Sequence, residues 1–197
     1  MPSSKSKKSS PRKEVILEKA AQLFRKNGFN ATSMRDLAEN VGVEAASLYN
    51  HINSKAELLQ EICFRIANKF TTHMDDVMAS DQPAIAKIEA ILRFHIRQML
   101  DNYEEAYVSD REWKHLTDPY LSNFKSQRRT HRQRIASIIE AGIASNEIKK
   151  IDAPTAVLIL LHAVSGIESW HRSRQKISGE QLEENIVLIL VGGLRNK

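Results

Sequence analysis

The chain has 197 residues, 42% hydrophobic and 27% charged, the balance of a water-exposed globular protein long enough for one sizeable core or a small domain joined to a larger one. Its formal net charge of +5 comes from one place: residues 1–13 hold Lys5, Lys7, Lys8, Arg12 and Lys13 with no acid, so the remainder balances at 24 basic and 24 acidic residues. The single Cys63 excludes an internal disulfide, no apolar run is read as reaching the roughly 18 residues that cross a bilayer, and no apolar segment follows the basic N-terminus, so neither a membrane helix nor a signal peptide is expected and the location is read as cytoplasmic.

Residues 1–10, rich in Ser and Lys, cannot bury apolar surface and read as a flexible basic arm, either a solvated tail or an extension laid along DNA phosphates. From there the apolar residues follow a 3.6-residue period, with no sustained alternation, so the chain is expected to be all-α with about nine helices. Pro11 opens helix one, with Ile16, Ala20, Leu23 and Phe24 on one face, and Gly28 closes it. Thr32 or Ser33 caps a short second helix to Asn40, Gly42 makes a tight turn, and a third short helix runs from Glu44 to Asn50. Asn53 or Ser54 caps a long helix over 54–79, and Asp81 with Pro83 opens another that ends near Tyr103. Residues 104–119 are mixed, a short helix and a loop closed by Pro119. A helix with a basic first half follows from Tyr120 to Ser145, then two strongly apolar helices over 153–175 and 180–195, the last capped by Ser178 with Gln181.

Two short helices joined at Gly42 have the layout of a helix-turn-helix, in which Leu37, Ala38, Val43 and Leu48 pack the pair and leave the outer face of the second for a major groove. Small residues at Ala45, Ala46 and Ser47 permit close approach of the backbone to DNA. The segments Ala20–Phe24, Thr32–Ala38, Val41–Val43, Ser47–Ile52 and Glu57–Leu59, in this order and spacing, resemble the TetR family of bacterial transcriptional regulators. The resemblance implies a three-helix DNA-binding domain, here 11–56, and a ligand-binding and dimerisation domain, here 57–197. It implies phosphate contacts from Tyr49, His51, Lys55 and a cap hydroxyl at Thr32 or Ser33, with Arg35, Ala45, Ala46, Ser47, Tyr49 and Asn50 near the bases of double-stranded DNA. Glu44 departs from the hydroxyl cap usual in the family and Asn50 from its common residues, so base preference does not carry over. Residues 14–60 hold five basic and six acidic side chains, so placed contacts matter more there than bulk charge.

A recognition helix reads few base pairs, so two copies on a palindromic operator are expected. By the same resemblance the last two helices pair with their copies in a homodimer, and residues 60–150 supply most of a small-molecule pocket. Candidate lining residues are Phe70, Met74, Leu92, His95, Met99, Tyr103, Tyr107, Trp113, Phe124, Arg128 and Trp170, each of which could equally be plain core or surface. The cations of 125–134, among them Arg128, suit phosphate or carboxylate groups or else form a solvated face. With Trp113, Phe124 and Trp170 they look similar to TetR relatives that sense acyl-coenzyme A thioesters. No base neighbours Cys63 in sequence, no Gly-rich phosphate loop is present, and the seven histidines do not form His-Glu-x-x-His, so no catalytic residue, metal or cofactor is assigned. The reading is a repressor released by its effector, with an activator of the same fold or a helical adaptor as alternatives and the long helix 54–79 as the lever.

Overall fold

The structure, a computed structural model, describes residues 11–173 and 177–196; the basic arm of residues 1–10 lies outside them. Those residues form ten α-helices and one 3-10 turn, with no strand among them: α1 (Pro11–Asn27), α2 (Met34–Val41), α3 (Ala45–Tyr49), α4 (Lys55–Ala79), α5 (Ala84–Asp101), α6 (Tyr103–Arg111), the turn Trp113–His115, α7 (Tyr120–Ala144), α8 (Ala153–Ser165), α9 (Ile167–Arg172) and α10 (Gly179–Leu194). The fold is all-α as the periodicity requires.

The count exceeds nine because the helix expected over 153–175 is broken at Gly166, leaving α8 and α9. That turn is tight, since a Cβ on Gly166 would stand 3.1 Å from the Ala163 carbonyl oxygen. Within residues 153–172 an 18-residue window nevertheless reaches a mean hydropathy of 1.2, long and apolar enough by composition to cross a bilayer, which corrects the expectation that no such run exists. His162 and Gly166 interrupt the apolar residues, while the average over the window remains high. One side of the stretch is packed inside the protein through Ala156, Val157, Leu160 and Val164.

Local signals work as read. Gly28 and Gly42 take φ of 83° and 77°, the left-handed region that closes α1 and turns α2 into α3. Ser33 and Asp36 form a reciprocal capping box on α2, Ser54 caps α4, and Ser178 with Gln181 caps α10. Glu44 makes no side-chain cap on α3.

Two cores result. One gathers α1–α3 and the first turns of α4 around Ile16, Leu17, Phe24, Leu37, Leu48, Leu58 and Ile62, and it also takes in Val108 of α6, Leu116 and Phe124 of α7. The other joins α5, α7, α8 and α10 around Ile88, Ile96, Ile139, Val157 and Val187. Helix α4 runs through both.

Candidate nucleic-acid interface and effector cavity

Helices α2 and α3 pack through buried Leu37, Ala38 and Leu48, and the Val43 N–H donates to Ala38 O at 3.0 Å across the turn. This sets the outward face of α3. Arg35, Ala45, Ala46, Asn50 and His51 are exposed, Ser47 is half-buried, and the Tyr49 ring stands 52% exposed. Among the described residues no hydrogen bond or ion pair holds the side chains of Arg35, Tyr49, Asn50 or His51, so these groups are available to a partner.

Two residues expected on phosphate sit otherwise. Thr32 is 1% exposed and its hydroxyl donates to Gly28 O at 2.9 Å, so it ties the loop instead of facing DNA; the cap hydroxyl is that of exposed Ser33. Lys55 sends its ammonium inward: Nζ lies 2.7 Å from both Phe29 O and Thr32 O and 4.4 Å above the Phe29 ring. Carbonyls beyond the end of α1 lack helical partners, and this cation supplies them. Asp36 is held below the ordinary carboxylate range by the Ser33 N–H and hydroxyl, and so stays charged in the capping box.

A cavity of about 410 Å³ lies among α4, α5, α6, α7 and α8, within the range of roughly 300–1,000 Å³ typical of small-molecule sites. Phe70, His95, Met99, Phe124 and Arg128 line it, as the sequence suggested. The other six candidates do not. Met74 is 1% exposed in the core, and Leu92 borders a separate void of about 10 Å³. Tyr103 and Trp170 flank His171 in a cluster of their own, with Tyr103 stacked on His171 at 3.8 Å and Arg25 above the Tyr103 ring. Tyr107 and Trp113 pack against the N-terminal core, Trp113 stacking on Phe124 at 6.0 Å.

Side chains that sequence reasoning missed give the cavity its chemistry. His131 meets His95 with Nε2 atoms 2.8 Å apart, and Phe70 stacks on His95 at 4.2 Å. Burial, then the Arg134 and Arg128 charges, push His131 down to about 4, and burial with the His131 charge lowers His95 as well. The pair is therefore neutral at pH 7, one ring N–H donating to the other ring nitrogen. Near α6, Asp110 accepts from Arg128 Nη2 at 3.1 Å and from Ser165 Oγ at 3.4 Å, and the Arg128 guanidinium lies 5.5 Å from the centre of the Trp113 ring. Gln127 presents a buried Oε1 with no hydrogen-bond partner among the described residues. Of the lining guanidinium groups Arg128 is paired with Asp110 and Arg111 with Glu168, each at 3.1 Å, and among the described residues no acid pairs with Arg132, so the cavity favours an anion. His131 was legible only as part of a basic run, three residues beyond Arg128; Asp110 lay in the stretch with no clear period.

Helices α1 to α3 and the cavity are joined by more than α4. Arg25 of α1 pairs with Glu104 of α6, Arg65 of α4 bridges Glu14 of α1 and Glu105 of α6, and the Phe29 N–H donates to Glu112 at 3.1 Å. Helices α8 and α10 present Leu158, Ile159, Leu188 and Ile189 at 54–73% exposure, Leu158 also lining the cavity. Four such large apolar side chains outside are more than scattered surface residues.

Residues 16–62 match the family profile for bacterial regulatory proteins of the tetR family, and residues 81–194 match that of the tetracyclin repressor-like C-terminal domain. The chain is similar to the HTH-type transcriptional repressor KstR2 of Rhodococcus jostii (strain RHA1), 25% identical over 187 residues that cover 94% of this chain and 92% of the relative. Its fold is similar to that of the ketosteroid transcriptional regulator KstR2 of Mycobacterium tuberculosis, with a TM-score of 0.88 at 19% identity over 96% of this chain and 98% of that one. It is also similar to AibR solved in complex with isovaleryl coenzyme A and operator DNA, with a TM-score of 0.80 at 22% identity over 91% and 98% of the two chains.

Proposed function

The chain belongs to the TetR family of bacterial regulatory proteins, and from that membership we propose that it is a homodimeric repressor that binds a palindromic operator and is released by an anionic small molecule. It is a transcription regulator and not an enzyme. Its single thiol, Cys63, is buried and pushed up to about 12, so it stays protonated and unreactive at neutral pH.

The observation that carries the reading is the outward face of α3. Tyr49 ends a helix fixed by Leu37, Ala38 and Leu48, Asn50 and His51 follow it directly, Arg35 lies on α2, and among the described residues no hydrogen bond or ion pair holds these four side chains. We assign Tyr49 and His51, with the Ser33 hydroxyl, to phosphate contacts, and Arg35, Ala45, Ala46, Ser47 and Asn50 to the groove. Residues 11–56 serve as the DNA-reading unit and 57–197 as the sensing and dimerising unit. The dimer forms through the apolar faces of α8 and α10, where Leu158, Ile159, Leu188 and Ile189 would be covered by their copies.

For the effector, an apolar cavity with an excess of guanidinium groups suits a molecule with a hydrocarbon body and an acidic group. An acyl-coenzyme A thioester has both, and AibR, of similar fold, was solved with one. The protein is read as acting in the cytoplasm, where such thioesters and the chromosome are found. A palindromic fragment selected by the purified protein from a random pool should migrate slowly at moderate salt, and Tyr49→Ala with His51→Ala should abolish the shift. Retention of the shift by that double variant would remove the assigned face.

A further inference from the structure

We propose that Arg128 is the anion-binding residue of the cavity and that its ion pair with Asp110 is the contact an effector breaks: a ligand anion replaces Asp110 on the guanidinium, and α6 loses its tie to α7. The proposal rests on the reading of the chain as an effector-responsive regulator. The ligand class it names is a molecule with an apolar body and a carboxylate or phosphate.

Arg128 is built to receive such a group. Its plane is steadied by Trp113 and Phe124, at 5.5 and 5.9 Å from the ring centres, yet a single contact at 3.1 Å from Nη2 joins it to Asp110. A guanidinium has five N–H donors in a planar fork, so a bidentate carboxylate or phosphate would satisfy more of it than Asp110 does. Phe70, Ile66 and Met99 on the same cavity wall receive the apolar body.

The consequence runs through α6. Asp110 stands near the C-terminal end of that nine-residue helix, and two residues further Glu112 accepts the Phe29 N–H at 3.1 Å. The Phe29 carbonyl is held in turn by Lys55, which also holds Thr32, the neighbour of the α2 cap Ser33. At the other end of α6, Glu104 pairs with Arg25 and Glu105 with Arg65. A helix moves as a rigid body over this length, so release at Asp110 changes every one of these grips on α1 and on the loop that leads into α2.

The first test needs no ligand. Asp110→Asn keeps the size of the side chain and removes the charge that Arg128 would otherwise lose to a ligand, so it should copy the effector-bound state. Operator affinity of the full chain should fall roughly 5–10-fold in Asp110→Asn and in Arg128→Gln, with the double variant no weaker than either single, the size typical of allosteric coupling. Arg128→Lys, which keeps a cation for Asp110, should stay near wild type. Asp110→Asn binding the fragment as wild type does, or losses that add in the double variant, would overturn the proposal.

The second test uses octanoate and octanoyl-coenzyme A as probes, followed through Trp113 emission in a Trp170→Phe background. Asp110→Asn should bind the accepted probe several-fold more tightly because the competing carboxylate is gone; equal affinities overturn the exchange. Response to octanoate identifies carboxylate as the recognised anion, and response to the thioester alone identifies its phosphates. If neither probe alters wild-type operator binding, the effector assignment above fails, while the ligand-free comparison still decides the ion pair.

Discussion

Tyr49 and Lys55 are six residues apart and were assigned the same duty, yet their surroundings separate them. Tyr49→Ala removes an exposed ring and should lower operator affinity about tenfold, in line with a lost contact of roughly 1–2 kcal/mol, while leaving the thermal midpoint unchanged. Lys55→Ala leaves the Phe29 and Thr32 carbonyls without their cation, and a half-buried charge-assisted cluster of this kind should cost about 1–2 kcal/mol, read as a lower midpoint in a thermal melt. An unchanged midpoint for Lys55→Ala would return that lysine to the DNA face. The difference was not legible in the sequence, because a motif fixes where a Cα stands and not whether a long side chain turns inward or outward. Thr32 and Ser33 pose the same problem at closer range: either hydroxyl can cap, and burial against the end of α1 decides. The buried histidines lend the fold a pH response. His131 ordinarily titrates near 6.5 and is held near 4 in the folded protein, so below about pH 6.5 the unfolded chain binds more protons than the folded one. Stability should therefore decline as pH falls from about 6.5 to about 4, and His131→Gln should flatten that part of the curve of midpoint against pH. An identical slope in the variant would mean that other groups carry it.

The helices with clean periods, α1, α4, α5 and α10, were found from sequence within a few residues, because one face of each meets a core and the rest meets water. Helix α6 is the short helix expected in the mixed stretch 104–119, but its bounds are not readable there, and the reason lies in its surroundings. Its Glu104 and Glu105 answer cations on α1 and α4, its Asp110 answers α7, and Val108 is buried, so polar and apolar positions follow several neighbours instead of one. The break at Gly166 escaped notice for a related reason, since both halves continue the same apolar pattern. Glycine matters differently at Gly142 of α7. A Cβ there would meet Ile148 Cδ1 at 2.6 Å, Ile148 Cγ1 at 2.8 Å and Ala84 Cβ at 2.9 Å, so the end of α7, the start of α5 and the turn before α8 come together over a single hydrogen. Gly142→Ala should destabilise by about 1–3 kcal/mol, the range for overpacking, in a denaturant titration, even though alanine is the better helix former. A neutral or stabilising result would mean that Ile148 gives way cheaply.

At the scale of the molecule, α10 is pinned to α5 while its outer face is left bare. Glu183 is 7% exposed and receives both Arg93 and Arg97; burial alone would raise its carboxyl, but hydrogen bonds from Arg97 and Arg93 bring it below the ordinary value, so the bridge is charged at neutral pH. Leu188 and Ile189, at 73% and 69% exposure, lie outside that attachment. Leu188→Glu with Ile189→Glu should leave helicity and melting of the single chain intact, halve the mass seen in sedimentation, and weaken operator binding at the same total concentration. A wild-type mass in that variant would place the association surface elsewhere. The presence of an apolar surplus on the last helices was readable from composition, whereas the cavity was half read, since a residue type says little about which of two buried neighbours faces a void.

The N-terminal core does not stop where the DNA-reading helices stop, because Val108, Leu116 and Phe124 belong to it and Glu112 holds the Phe29 amide. Heads exchanged between regulators of this fold at residue 56 would therefore meet a foreign seat. A hybrid carrying another protein's residues up to that point should express as a less stable protein with blunted induction, and transplanting 103–124 along with the head should restore both, making that internal segment the portable counterpart of the recognition helix.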